Sequence, residues 1–381
     1  MTDTNSASPE AVESVLLEGP LHAWHVEAGA RMAEFGGWLM PLHYEGGGVV
    51  AEHSAVRSSV GLFDVSHLGK ILVKGPGALD FVNGTLANDL RKIGVGQAQY
   101  TMALNETGGV IDDLIAYIRS EEEIFLIPNA ANSGKVAAKL VAAREESGAG
   151  IQITDQHRDF AVFALQGPKS AEVLGNLGLE LPTDYMAFID VSWKGMPLSV
   201  CRTGYTGEHG YELVPRWEDA LTLWETISAA STAYAGRAAG LAARDTLRTE
   251  MGYALHGHEL TPDISPVEAR VGWAIGWKKD AFWGRDAVTR IKAEGAQRKA
   301  VGLLALERGV PRADVNVLGA DGGVVGRTTS GTFSPTLQNG IALALVDPSV
   351  QLDDELAVEI RGRKLAVRVV RPPFIETGVR G

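Results

Sequence analysis

Three stretches of the chain carry side chains able to do chemistry. In "GGVIDDL", residues 108–114, two adjacent carboxylates, Asp112 and Asp113, follow a double glycine inside an apolar run. Carboxylates are rarely buried without partners, so the placement demands a reason. A strand sends neighbouring side chains to opposite faces, which predicts that these two cannot act as a close carboxylate pair. Aspartic-protease and glycosidase chemistry built on the two neighbours is thereby excluded. One carboxylate remains for function, and the other is expected to bond backbone N–H groups of the turn. The apolar neighbours do not choose between them: Val110, Leu114 and Ile118 share one parity, Ile111 and Ile115 the other.

In "RTGYTGEHGYEL", residues 202–213, Gly204, Gly207 and Gly210 recur every third residue. Glycines so spaced permit positive φ and close backbone approach. They suit a tight hairpin loop. They also suit a loop around a flat ligand, with Tyr205 offering a ring face and Glu212 a carboxylate for the paired N–H groups of an amino-heterocycle. In "GLAARDTLRTEMGYALHGHEL", Arg244 and Arg248 lie four apart on a predicted helix and share a face. That face is either salt-bridged or a clamp for a ligand carboxylate, which guanidinium geometry fits. His67 in "FDVSHLG" is placed to pair with Asp64, as a structural hydrogen bond or as an acid–base couple. "HGH" at 256–258 has poor metal-ligand spacing and no HExxH is present, so no metal is expected. "GVGQAQ" lacks the third glycine of a dinucleotide fingerprint and reads as a turn.

The elements that must position these groups follow from pattern. Strand-like "LGKILVKG" leads to a predicted helix, "PGALDFVNGTLANDL", with Pro76 near its first turn. Then "QYTMAL", "VIDDLIAYI" and "IFLIPN", separated by turn clusters, predict a three-stranded antiparallel meander, closed by a helix over "NSGKVAAKLVAAREE". From 155 to 270 strands and helices mix without strict βαβα alternation, so an α+β fold is expected rather than a doubly wound sheet. From about 295 to 375, short strands at hairpin spacing, one turn being "ADGG", predict a small all-β barrel or sandwich.

With 381 residues, 45% hydrophobic and 22% charged, the chain has the make-up of a globular protein of two or three domains. A net charge of −12 gives no global field for nucleic acid or an anionic membrane. The single cysteine, Cys201, excludes an internal disulfide and reads as a buried strand residue. No apolar run reaches membrane-spanning length. The opening "MTDTNSASPEAVES" lacks leader features, so a disordered tail on a cytoplasmic protein is expected.

These motifs, with "GARMAEFGGWLMPLHY", "SGTFSPTL" and "IALALV", resemble in order and spacing the T-protein family, the aminomethyltransferases of the glycine cleavage system, over about residues 20–375. The resemblance implies an α+β, three-domain cloverleaf around a central folate channel, with a C-terminal all-β barrel-like domain. Its parts are residues 1–67 plus 155–275, residues 68–154, and residues 290–381. The implied reaction moves the methylene of an aminomethyl group on the lipoyl arm of an H-protein to tetrahydrofolate. The products are 5,10-methylenetetrahydrofolate, ammonia and the dihydrolipoyl arm.

Tetrahydrofolate is the implied cosubstrate and lipoylated H-protein the partner, with no metal, nucleic acid or membrane. Carried onto this sequence, Asp113 is the catalytic carboxylate and Glu212 binds the pteridine's amino edge. Tyr100, Asn129 and Tyr205 line the pterin pocket. Arg244 and Tyr253 are further folate contacts, and Arg380 is the candidate for the folate tail. An acidic partner requires a basic patch, for which Lys278, Lys279 and Arg285, or Arg361, Arg363 and Lys364, are candidates. Two alternatives share the fold: a folate-dependent demethylase of N-methylated glycines, and a non-catalytic folate-binding protein of iron–sulfur maintenance. The first lacks its usual flavin oxidase domain here and the second its cysteine-containing glycine motif.

Overall fold

A computed structural model describes residues 15–360 and 362–379. The expected tail, residues 1–14, lies outside the described residues, as do Arg361 and Arg380.

The meander forms as its turn clusters dictate and is part of a larger sheet. Five strands lie in the order Gln97–Leu104, Val110–Ser120, Glu123–Pro128, Ile71–Lys74, Gln152–Asp155, all neighbours antiparallel. Residues Leu114, Ala116 and Ile118 alternate onto one face and pack with Val82 of helix Ala78–Thr85 and Leu140 of helix Ser133–Ser147. The first helix is shorter than its apolar pattern. Asn83 Oδ1 accepts from Leu90 N, pulling the chain into the 3₁₀ turn Leu90–Lys92, and Pro76 precedes the N-cap Gly77.

A second sheet draws strands from both sides of that unit. Its order is Phe188–Trp193, Met196–Cys201, Gly210–Pro215, Phe163–Gln166, Gly61–Asp64, Arg237–Ala238, and only the last pair is parallel. Trp224, on helix Ala220–Thr232, packs edge-on to Phe163 and Trp24 beneath it. The architecture is therefore α+β.

The last six strands close into a barrel, in the order Lys299–Ala305, Asn339–Val346, Val324–Ser334, Asn316–Leu318, Glu355–Ile360, Arg363–Val370. Closure leaves no free strand edge. Helix Leu241–Met251 ties the barrel to the rest through the buried Glu250, which accepts from Arg57 Nη2 at 2.8 Å and Thr336 Oγ1 at 3.0 Å. Burial alone would raise this carboxyl, but His53, Ser334 and Arg57 hold it down at about 2. Among the described residues no helix is long and apolar enough to cross a membrane.

Candidate active site

The strand that carries the aspartates is entered through the double glycine. Gly108 has φ +88°, and a Cβ on Gly109 would sit 1.8 Å from the Pro262 carbonyl oxygen, so only glycine lets the 261–264 segment lie this close. Asn105 Oδ1 caps the turn, accepting from Thr107 N and Gly109 N, so the turn anchor is Asn105 and neither aspartate. The register then slips: Leu104 pairs with Val110 but Ala103 with Asp112, making Ile111 a bulge just before the pair. Such bulges re-aim the side chains that follow them.

On the other flank, strand Glu123–Pro128 ends opposite Leu114, so Asp112 and Asp113 have a strand neighbour on one side only. Asn129 completes the missing ladder by donating from Nδ2 to the Asp113 carbonyl at 2.9 Å. The same nitrogen lies 2.9 Å from Asp112 Oδ1 and 3.0 Å from Asp113 Oδ1. Alternation still holds, with Asp112 buried and Asp113 half-buried. The expectation that the two carboxylates act apart does not hold, because one amide at the strand end reaches both.

Asp112 also accepts from Asn129 N at 2.9 Å and Asn132 Nδ2 at 2.8 Å. Burial and the neighbouring Asp113 charge push its carboxyl up to about 8, against the pull of those donors. Asp113 accepts from the Tyr100 hydroxyl at 3.1 Å. Burial raises its carboxyl as well, opposed by nearby His256 and by the hydrogen bonds from Tyr100 and Asn129. His256 Nε2 lies 3.0 Å from the Val110 carbonyl and its Nδ1 3.0 Å from Asn132 Nδ2, so the ring donates from Nε2 and accepts at Nδ1.

Aromatic rings stand around this carboxylate. Trp273, 69% exposed, stacks on Tyr100 with centroids 5.5 Å apart. Tyr205 stacks on Tyr253 at 5.7 Å, and the Arg244 guanidinium lies 4.9 Å over the Tyr205 ring. The Tyr205 hydroxyl bonds the Ala254 carbonyl and is raised by burial, with the Asp113 charge adding to the shift. Arg244 is lowered by burial, and the Glu212 charge opposes this. Hydrogen bonds join Tyr100 and Asn129 to Asp113, ring contacts join Tyr253 and Arg244 to Tyr205, and the Asp113 and Glu212 charges act on Tyr205 and Arg244. Arg244 Nη1 is buried with no hydrogen-bond partner among the described residues. Glu212 is buried, and Thr203 Oγ1 donates to its Oε2 at 2.5 Å.

The glycines of the 202–213 loop serve the protein's own packing. A Cβ on Gly204 or Gly210 would meet the Gln166 side chain at 2.1 Å or 2.4 Å. Gln166 donates to the Thr203 and Tyr211 carbonyls and accepts from Thr206 Oγ1, so the loop folds around it. The glycine spacing thus reports a hairpin loop.

Other expectations are revised. Arg248 does not share a clamp with Arg244: it bonds Glu259 at 2.9 Å, Ser330 at 2.8 Å and Asp245 at 2.8 Å. Asp64 pairs with His25, not His67. His67 is buried, its Nδ1 without a partner among the described residues, and burial pushes it down to about 3. Lys279 is buried against the Leu86 and Asn88 carbonyls and cannot join a surface patch. Arg380 lies outside the described residues. A cleft of about 630 Å³ opens elsewhere, against the barrel, lined by His258, Arg298 and Arg327 among others but by none of the expected site residues. Sequence reasoning passed over Asn132, Trp273 and Gln166, and weighed His256 only as a metal ligand. The "NAAN" spacing, with Asn132 as helix N-cap three residues after Asn129, was the available signal for the first.

Comparison with known proteins agrees across the chain. A family model described as the GCVT N-terminal domain matches residues 21–279, and one described as the glycine cleavage T-protein C-terminal barrel domain matches residues 298–376. An aminomethyltransferase of Parafrankia sp. (strain EAN1pec) is 56% identical over 365 residues, 96% of this chain and 99% of that relative. One of Mycobacterium avium (strain 104) is 57% identical over 370 residues, 97% of this chain and 99% of that relative. The crystal structure of the glycine cleavage system aminomethyltransferase T from Bartonella henselae aligns with a TM-score of 0.89 at 35% identity, covering 95% of this chain and 98% of that one.

Proposed function

The chain belongs to the glycine cleavage T-protein family, and on that premise we propose how its own side chains carry the transfer. It is an aminomethyltransferase, a folate-dependent one-carbon transferase. The methylene of an aminomethyl group, presented on the lipoyl arm of an H-protein, passes to tetrahydrofolate, giving 5,10-methylenetetrahydrofolate and ammonia. In this reading the discontinuous unit 1–67 with 155–275, the unit 68–154 and the barrel 290–381 surround the channel that takes folate.

The observation that carries the reading is the half-buried Asp113, fixed by Tyr100 and Asn129 and joined through Tyr205 and Arg244 to Glu212. The set fits a pterin. Its stacked tyrosines offer ring faces, and Glu212 retains acceptor capacity beside Thr203 for a paired N–H edge. Arg244 Nη1 needs an acceptor that the described residues do not supply.

Loss of ammonia leaves cationic character at the transferred carbon, and the amine nitrogen that attacks it must shed a proton. Asp113 stabilises that charge and takes the proton, and burial raises its proton affinity above that of a free carboxylate. Tyr100 aims one carboxylate oxygen and Asn129 the other. The partner's arm must reach this carboxylate, and the exposed Arg363 and Lys364 remain as a basic docking patch for it.

Incubation of the wild-type chain with aminomethylated H-protein and tetrahydrofolate is the test. Stoichiometric release of ammonia and methylenetetrahydrofolate, dependent on tetrahydrofolate, is expected. Folate binding with no ammonia would overturn the catalytic reading.

A further inference from the structure

We infer that Asp112 is a positioning residue for the transfer: through the shared Asn129 amide it orients the Asp113 carboxyl and holds a second negative charge beside it. Three acceptors surround Asn129 Nδ2, namely Asp112 Oδ1, the Asp113 carbonyl and Asp113 Oδ1, at 2.9, 2.9 and 3.0 Å. An amide oxygen in that place would face three acceptors, so the nitrogen is fixed inward and Oδ1 points away. Asp112 enforces this orientation twice, because its Oδ2 also accepts from the Asn129 backbone N–H at 2.9 Å.

Hydrogen-bond accounting separates the roles of the two carboxyls. Each oxygen of Asp112 faces N–H donors, from Asn129 and Asn132, and a proton there would find no acceptor among them. Asp113 Oδ2 faces the Tyr100 hydroxyl, whose oxygen can accept as well as donate. Burial and an ionised Asp113 together push Asp112 up to about 8, but the second push vanishes once Asp113 takes the proton, and the N–H donors around Asp112 then leave the charge there. Like charges sharing a site raise the proton affinity of the one that cycles.

The remaining groups that face Asp113 come from separate elements: Tyr100 on the neighbouring strand, Tyr205 on the 202–213 loop, and His256 on the segment after helix Leu241–Met251. His256 is held by Asn132, the same residue that donates to Asp112. Asp112 thus fixes the amide, and Asn132 links it to the His256 imidazole. Burial moves both carboxyls upward, which favours a proton on the pair over two free charges.

The inference rests on Asp113 being the proton-accepting carboxylate. Its test is the pH profile of kcat/KM for tetrahydrofolate, with aminomethylated H-protein saturating, in wild type, Asp112→Asn and Asp113→Asn. Removing the neighbouring charge makes Asp113 a weaker base, so Asp112→Asn is expected to move the acidic limb down by on the order of one pH unit. Turnover at neutral pH is expected to fall with it. An unmoved limb in a folded Asp112→Asn protein overturns the inference and leaves Asp113's role standing. Near-normal turnover in Asp113→Asn instead removes the reading beneath it.

If Asp112→Asn fails to fold, the wild-type chain with ¹³C-labelled aspartate carboxyls decides. The resonance missing from Asp113→Asn identifies Asp113, and in wild type that resonance is expected to titrate in two steps, because each carboxyl reports its neighbour's proton. A single step overturns the pairing.

Discussion

Arg244 and Glu212 are the residues whose chemistry most directly asks for a ligand. A buried guanidinium nitrogen without a partner costs about 1–3 kcal/mol until something accepts from it. Arg244→Gln is therefore expected to weaken tetrahydrofolate binding by roughly 10- to 100-fold, and Glu212→Ala by a similar factor because it strands the pterin donors. Isothermal titration with tetrahydrofolate checks both, and unchanged affinity for either variant removes that residue from the site. Asp113 carries the pH dependence. Its ionised form accepts the proton and its affinity lies above the ordinary 3.8, so activity is expected to fall as pH drops through a raised value. At this scale sequence reasoning went only part of the way. Strand alternation narrowed the chemistry to one aspartate but could not choose it, and family resemblance, not physics, pointed to Asp113. The bridge through Asn129 was invisible, because it depends on where the neighbouring strand ends.

Helix Leu241–Met251 and the segment after it hold the aromatic walls in register. Arg248 donates to Glu259 at 2.9 Å and to the Tyr253 carbonyl at 3.2 Å, and Glu259 accepts from Leu255 N at 3.0 Å. Between those anchors the Ala254 carbonyl receives the Tyr205 hydroxyl. Arg248→Met leaves Glu259 as a buried, uncompensated charge and is expected to cost about 3–5 kcal/mol. Urea unfolding measures it, and a loss under about 1 kcal/mol would contradict the buried-pair account. The meander and the barrel were legible from turn clusters and hairpin spacing. Arg248's partner was not, since Glu259 lies beyond the helix and the i, i+4 spacing pointed at Arg244 instead. The glycine-rich loop misled in the same manner, because Gly204 and Gly210 answer to Gln166, one strand away, and Gly207 to Met251.

Across the whole molecule, Glu250 joins helix Gly48–Ser58, helix Leu241–Met251 and the barrel hairpin. Its carboxyl is held at about 2 against an ordinary 4.5, so its stabilisation is present above 4.5 and lost as pH falls through about 2. The shift corresponds to roughly 3 kcal/mol. Glu250→Gln is expected to flatten the acid dependence of thermal unfolding between those values. A variant whose slope matches wild type would contradict it. Charge reversal at Arg363 and Lys364 is expected to raise KM for the H-protein without changing folate affinity, and an unchanged KM removes that patch. All of this presumes one acting carboxylate. The most direct test is single-turnover ammonia release from aminomethylated H-protein with saturating tetrahydrofolate, in wild type and Asp113→Asn. The account predicts a rate lower by ~10²–10⁴-fold in a folded variant that still binds folate. Ammonia release at the wild-type rate from that variant would contradict it.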